Sequence, residues 1–258
     1  HTRSIWVTGV QTCALPIVDD GAAARQARQF GANCDAVAYF PLSGRRSDRG
    51  ILCVNNEYVA SELAFPGRRR ISAETGDERR EWVLKHPQAI AALIAAHGVS
   101  VLEVERLRGR WRREPGSPFA RRITAATPCE IMGPARGAPL MRTNEDPTGT
   151  RVLGTFANCA GGKTPWGTYL TAEENIDDYF GFGRSWTVAT DDAAALRAYR
   201  RWPLRERSHY GWEHASSRFD VRSEPHEAFR HGWIVEIDPR DPHTPRSEEH
   251  TSELQSPI

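Results

Sequence analysis

The chain has neither a marked net charge nor a long apolar run, and each absence excludes a class of protein. Its 34 basic residues face 33 acidic ones, which gives a formal net charge of +1. Proteins that bind nucleic acid through surface charge carry a clear basic excess, so nucleic acid is not an expected partner. No apolar stretch approaches the roughly 18 residues that a transmembrane helix needs, so no membrane span is predicted.

The common nucleophile and metal motifs are also missing. The sequence contains no G-x-S-x-G, no H-E-x-x-H and no C-x-x-C, which excludes a serine-hydrolase elbow, a zincin helix and a local zinc site. The run AGGKT at 160–164 lacks the first glycine of a phosphate loop, because Ala157 stands in its place. Four histidines in a loop-rich region are predicted to be surface residues: His209, His214, His226 and His231.

Both ends of the chain have the character of translated adapter DNA. The segment RSEEHTSELQS at 246–256 can be back-translated to a sequence whose reverse complement, in another frame, encodes the TGVQTCALPI of residues 8–17. Two unrelated natural segments would rarely be reverse complements over thirty bases. We therefore expect residues 1–17 and 246–258 to be adapter-derived and the biological domain to be 18–245, cut from a longer protein.

Short predicted strands and few helices indicate a mainly β protein. Apolar residues at helical spacing predict a helix over 77–96, with Pro87 starting its second piece. Without a clean internal repeat, this pattern fits a β-sandwich or a β-propeller. The predicted strands are 51–59, 99–107, 111–113, 121–124, 151–158, 168–173 and 232–238, and a second short helix is predicted at 191–200.

Three segments are candidates for chemistry, and each also has a plain structural reading. In 154–175, Cys159 precedes the adjacent carboxylates Glu173 and Glu174. Adjacent carboxylates at a strand end repel each other unless a cation is near, and they suit Ca²⁺, whereas a thiolate suits iron. The alternative is a glycine-rich turn with two solvated glutamates. Glu57, flanked by amides, is either a ligand or a hydrogen-bonded corner, and 231–239 is either part of the same site or a half-exposed strand.

Taken together, these segments resemble the PhoX-type alkaline phosphatases. The matching pieces occur in family order and include a long, highly specific central stretch. They are ILCVNNEYVASELAFPG (51–67), AAHGVSVLEV (95–104), RRITAATPCEIMGPARGAPLMRTNEDPTGTRVLGTFANCAGGKTPWGTYLTAEEN (121–175) and HGWIVEIDPRDP (231–242).

The resemblance implies a fold, an activity and a set of ligands. The fold is an incomplete six-bladed β-propeller with short helical insertions, and the activity is hydrolysis of phosphate monoesters at an iron and calcium cluster. The family motifs fall on Glu57, Cys159, Glu173 and Glu174 as metal ligands, with Ca²⁺ and Fe³⁺ as cofactors. The parent protein is expected to be a monomer exported to the periplasm or secreted by the twin-arginine route.

Two departures from the family pattern support a second hypothesis. Asn56 stands where a histidine is usual, and Ala172 stands where a cysteine is common. Both changes would alter the surroundings of the metals rather than remove a ligand. The alternative is therefore a family member without activity, a calcium-stabilised propeller used for binding or as a scaffold. Further ligands are expected beyond 242, so the 258-residue chain alone is expected to be inactive.

Overall fold

A computed structural model describes residues 21–44, 47–65, 67–182, 193–199 and 204–242. The two predicted adapter segments lie outside these ranges. The described strands are β1 (Cys34–Pro41), β2 (Arg49–Asn56), β3 (Gly98–Leu107), β4 (Arg110–Arg113), β5 (Arg121–Ile123), β6 (Pro128–Glu130), β7 (Arg151–Leu153), β8 (Asn158–Lys163), β9 (Tyr169–Glu173) and β10 (Ile234–Ile237). The described α-helices are α1 (Ala22–Gln26), α2 (Ser61–Ala64), α3 (Gly76–Lys85), α4 (Pro87–Ala96) and α5 (Ala193–Tyr199).

Antiparallel pairing joins the strands into three sheets. The largest has the order β1-β2-β3-β4, with β5 also paired to β3. The second has the order β10-β9-β8, and β6 pairs with β7. The first strand of the large sheet packs beside β8, so the beginnings of β1 and β8 meet. The expectation of a mainly β protein with few helices is confirmed, and the described residues do not form a closed ring of sheets.

The two-piece helix predicted from the apolar spacing is confirmed. Thr75 caps α3 with a capping box, in which its hydroxyl accepts from the Glu78 amide and the Glu78 carboxylate accepts from the Thr75 amide. Pro87 is the first residue of α4, where its missing N–H costs no hydrogen bond. His97 ends α4 and Gly98 begins β3.

One predicted strand is wrong in its extent. The interval predicted as a single strand at 151–158 holds β7, a break at 154–157 and the first residue of β8. Gly154 causes the break, because it has φ +71 and a Cβ there would lie 2.2 Å from the Thr124 carbonyl oxygen. The glycine-rich AGGK run, read as a turn in the structural alternative, belongs to β8.

The apolar residues form two clusters. One lies between the large sheet and the β8–β10 sheet, where Phe40 meets Tyr169 edge-on and Val235 and Ile237 are buried. The other is rich in aromatic side chains and contains Phe156 and Trp212, both 0% exposed. Within the described residues, no helix is both long and apolar enough to cross a membrane.

Candidate metal centre

Two β-bulges bring candidate ligands together where β1 and β8 begin. In β1 the pairing runs from Cys34↔Asn56 to Val37↔Val54, which leaves one extra residue on β1. In β8 it runs from Asn158↔Glu173 to Gly161↔Thr171, again with one extra residue. A bulge turns side chains out of the regular alternation of a strand. The bulged segments contain Asp35 and Cys159.

Asp35, Glu57 and Cys159 form a compact group of possible ligands. One ligand atom from each lies within 4.8 Å of the others, and the Cys159 thiol donates to Asp35 Oδ2 at 2.9 Å. The Glu174 carboxylate is within hydrogen-bonding reach of both Glu57 and Cys159. The structure thus places three of the four predicted ligands together, at the margin of the protein rather than in its core.

Within the part of the chain that the structure describes, no lysine or arginine forms a salt bridge with the acids of this group, and these acids repel one another. Burial, followed by the charges of Glu174 and Asp35, raises the pKa of Glu57. The hydrogen bond to Asp35, followed by burial and the charge of Glu174, raises the pKa of the Cys159 thiol to about 12. A bound cation would offset this repulsion and would favour loss of the thiol proton. Three carboxylates suit a hard ion such as Ca²⁺ and the thiolate suits iron, so the residues fit both expected metals.

The backbone beside the group is strained at two positions. Ala157, two residues before Cys159, and Asn175, next to Glu174, have φ of 53° and 49°. The left-handed region costs an alanine about 1 kcal/mol or more. The Glu174 amide donates to the Ala157 carbonyl at 3.0 Å, and Asn175 Nδ2 donates to Glu174 Oε1 at 2.7 Å. These contacts fix the ends of β8 and β9 relative to each other.

The fourth predicted ligand, Glu173, lies in a different environment. Its side chain is completely buried, and Oε2 accepts from the amides of Gly232 and Trp233 at 2.8 and 3.3 Å. Oε1 is 3.7 Å from His231 Nδ1. The interpretation of His231 as a surface residue is therefore wrong, since it is 0% exposed. His231 lies between Glu173 and Glu227 in the core. The positions of the histidines along the sequence did not indicate these partners.

The two asparagines before Glu57 face opposite sides. The Asn55 amide reaches β8 and β9, where Nδ2 donates to the Cys159 carbonyl at 2.7 Å. Asn56 instead accepts from the Ser100 hydroxyl at 2.6 Å and from the Arg122 guanidinium. The departure from the family pattern at residue 56 therefore lies away from the ligand group.

Sequence reasoning missed Asp35 and Asn55 as members of the site. Asp35 lies in β1, which was not predicted, and a single aspartate in a polar context carries no spacing signal. Its proximity to Cys159 depends on a contact between residues 124 positions apart. The rejection of a phosphate loop agrees with the structure, because the glycines of AGGK lie in β8 and no helix follows them directly.

Comparison with known proteins places the chain in a family. The profile of the alkaline phosphatase PhoX family matches residues 4–252. A solved structure described as Pseudomonas fluorescens PhoX in complex with vanadate, a transition state analogue, is 38% identical with a TM-score of 0.74. The match covers 88% of this chain and 36% of that one, so the chain spans about a third of its relative's length. No match was found among curated proteins. The chain belongs to the PhoX alkaline phosphatase family.

Proposed function

We propose that the chain is part of a metal-dependent phosphatase that hydrolyses phosphate monoesters. The observation that carries this proposal is the group of Asp35, Glu57, Cys159 and Glu174, in which Asp35 and Cys159 lie on two facing bulges and Glu57 and Glu174 directly follow β2 and β9. We assign these four residues as ligands of a cluster containing Ca²⁺ and Fe³⁺. The vanadate complex of the PhoX relative, described as that of a transition state analogue, supports phosphoryl chemistry for this family.

The bound metals and the side chains of the group would contribute differently to the reaction. Metals, when bound, neutralise phosphate oxygens and the charge that develops during displacement. The chain itself contributes the fixed positions of the three carboxylates and the thiolate. It also limits their motion, because Glu174 is tied to Asn175 and to the Ala157 carbonyl. No serine nucleophile motif is needed for such a reaction.

Glu173 stays a prediction from the resemblance, because its carboxylate is already held by backbone amides and His231. We further propose that the three antiparallel sheets belong to an incomplete six-bladed β-propeller. The 36% share of the relative's length supports this fold proposal. Completion of the propeller would supply the remaining ligands.

The test is hydrolysis of phosphate monoesters by the longer parent protein, with and without Ca²⁺ and iron. We expect turnover that chelation abolishes and that Cys159→Ala reduces by at least about a hundredfold. The 258-residue chain alone is expected to have no turnover. Activity that survives both complete chelation and Cys159→Ala would contradict the metal mechanism.

The alternative, a calcium-stabilised propeller without activity, rests on Asn56 and Ala172. Asn56 contacts Ser100 and Arg122 rather than the ligand group. The alternative is therefore favoured only by Ala172, a β9 residue that pairs with Ile234 of β10. Strong thermal stabilisation of the parent by Ca²⁺ with no turnover on any phosphate ester would support this alternative.

We also propose that the parent protein acts as a monomer in the periplasm or outside the cell, after twin-arginine export. The family resemblance supports this location. Fractionation of cells expressing the parent gene, with the twin-arginine pathway intact or blocked, tests it. Phosphatase that reaches the periplasm equally in both strains would contradict the route.

A further inference from the structure

Asn55 is a buried amide whose hydrogen-bonding capacity is fully used. It is 0% exposed. Its Nδ2 donates to the carbonyls of Cys159 at 2.7 Å and Ala160 at 3.2 Å. Its Oδ1 accepts from the Tyr169 hydroxyl at 2.8 Å and from the Thr171 hydroxyl at 2.9 Å. An asparagine can offer two donors and two acceptor sites, and all four have partners here.

The two carbonyls that Asn55 holds are those of the β8 bulge. Cys159 and Ala160 lie between the paired residues Asn158 and Gly161, where the regular ladder of hydrogen bonds is interrupted. Asn55, from β2, replaces the donors that the ladder no longer supplies. These hydrogen bonds fix the backbone at Cys159 relative to β2, the strand that leads directly into Glu57.

The same network reaches the bulge in β1. The Tyr169 hydroxyl lies 3.3 Å from the Ala36 carbonyl as well as 2.8 Å from Asn55 Oδ1. Its single proton can serve either acceptor. Ala36 is the neighbour of Asp35 within the β1 bulge. One buried amide and one phenol therefore connect the backbone of both bulges.

We propose that Asn55 is a positioning residue of the metal centre, which fixes the β8 bulge so that Cys159 faces Asp35 and Glu57. This inference rests on the metal centre under the proposed function. Asn55 does not touch the ligand atoms. It acts through the Cys159 and Ala160 carbonyls, and its effect on metal binding exceeds its effect on general stability.

The experiment compares Asn55→Asp with Thr171→Val. The aspartate keeps both acceptor contacts and loses the donors to the two carbonyls. The valine removes the Thr171 donation to Asn55 Oδ1 and one of the two acceptors of Asn158 Nδ2, and it leaves the Asn55 donors in place. The metal-free proteins are examined by amide hydrogen exchange and by urea unfolding. Each is then titrated with Co²⁺, whose thiolate charge-transfer absorption reports coordination by Cys159.

We expect Asn55→Asp to accelerate exchange at 158–161 by about tenfold or more and to weaken Co²⁺ binding by about 10- to 100-fold. Thr171→Val should change both by less than about threefold. Equal effects of the two variants at 158–161, or equal losses of Co²⁺ affinity at matched unfolding free energy, would overturn the positioning role.

The proposal can still be tested if Asn55→Asp does not fold or if the chain binds no Co²⁺. If Asn55→Asp does not fold, Tyr169→Phe replaces it. Exchange must then rise at both 34–37 and 158–161, since the Tyr169 hydroxyl contacts the Ala36 carbonyl directly and the β8 bulge through Asn55. Unchanged exchange at both segments overturns the proposal. If the unaltered chain binds no Co²⁺, the metal centre fails in this chain, while the exchange data still decide whether Asn55 holds the bulge.

Discussion

Glu173 and Glu174 are neighbours in the chain but belong to two polar clusters with opposite charge balance. Glu174 joins Asp35, Glu57 and Cys159, a group in which Glu174 and Asp35 raise the pKa of both Glu57 and the Cys159 thiol. Glu173 lies in a buried cluster with His231, Glu227 and Arg218. Glu173 is the last residue of β9, and Glu174 follows it outside the strand.

The buried cluster supplies its own positive charge. Although burial opposes ionisation, Arg218, His231 and Arg230 together hold the pKa of Glu227 well below its usual range. Arg218 Nε donates to Glu227 Oε1 at 2.6 Å. Among the described residues, the ligand group has no lysine or arginine as a salt-bridge partner. A cluster that is already neutralised needs no ion, whereas a group of acids without a basic partner gains from binding one.

The largest effect is expected from removal of the buried cation. Arg218→Met should lower the free energy of unfolding by about 3–5 kcal/mol, because Glu227 would remain buried without its main partner. The guanidinium also donates to the Ala125 and Leu153 carbonyls, which would lose a partner. Urea unfolding of the metal-free protein measures the change.

The matched control is Arg222→Met. Arg222 pairs with Asp220 at 2.7 Å, but its side chain is 43% exposed, so its loss should cost less than about 1 kcal/mol. If both variants lost the same stability, the distinction between a balanced buried cluster and a surface pair would fail.

The adjacent glutamates give the sharpest comparison. Glu173→Gln should lower the free energy of unfolding by about 2 kcal/mol, because the Gly232 and Trp233 amides lose a charged acceptor. It should leave Ca²⁺ binding nearly unchanged. Glu174→Gln should do the reverse, with little change in the metal-free protein and weaker Ca²⁺ binding. Calorimetric titration with Ca²⁺ and urea unfolding measure both quantities, and a loss of Ca²⁺ affinity in Glu173→Gln alone would reverse our assignment.

Glu227 also predicts how the metal-free protein responds to acid. Its folded-state pKa is lowered, so the unfolded state binds more protons as the pH falls. Its contribution is complete above the unfolded pKa of about 4.5 and is lost as the pH falls from there toward the folded pKa, by up to about 1.4 kcal/mol per pH unit. The unfolding free energy of Glu227→Gln should therefore fall less steeply below pH 4.5. Equal slopes of unfolding free energy against pH below pH 4.5 for the two proteins would contradict this.

The elements with strong local signals could be predicted from the sequence. Pro87 as a helix start and the run that forms β3 each depend on neighbouring residues only. Glu57, Cys159 and Glu174 followed from the resemblance, and the structure brings them together. The local signals and the family motifs therefore located most of the ligand group.

What could not be predicted depends on contacts between distant residues. Glu173 and Glu174 are equivalent acids in the sequence, and only the register of β9 against β8 and β10 separates their environments. Asp35 lies within the β1 bulge and Asn55 contacts the β8 bulge. A bulge shifts which side chains face each other without leaving a composition signal. Both residues therefore required the tertiary structure.

The smallest expected effect is a gain in stability. In the metal-free protein Glu57→Gln removes one charge from a group of like charges, so the free energy of unfolding should rise by about 0.5 kcal/mol, as for exposed charge pairs. Addition of Ca²⁺ should reverse the order, because an ion that binds the folded state stabilises the unaltered protein in proportion to its affinity. Thermal melts of both proteins, with chelator and with Ca²⁺, show whether the order of their stabilities reverses. A Glu57→Gln protein that is less stable in both conditions would mean that Glu57 belongs, like Glu173, to the balanced part of the structure.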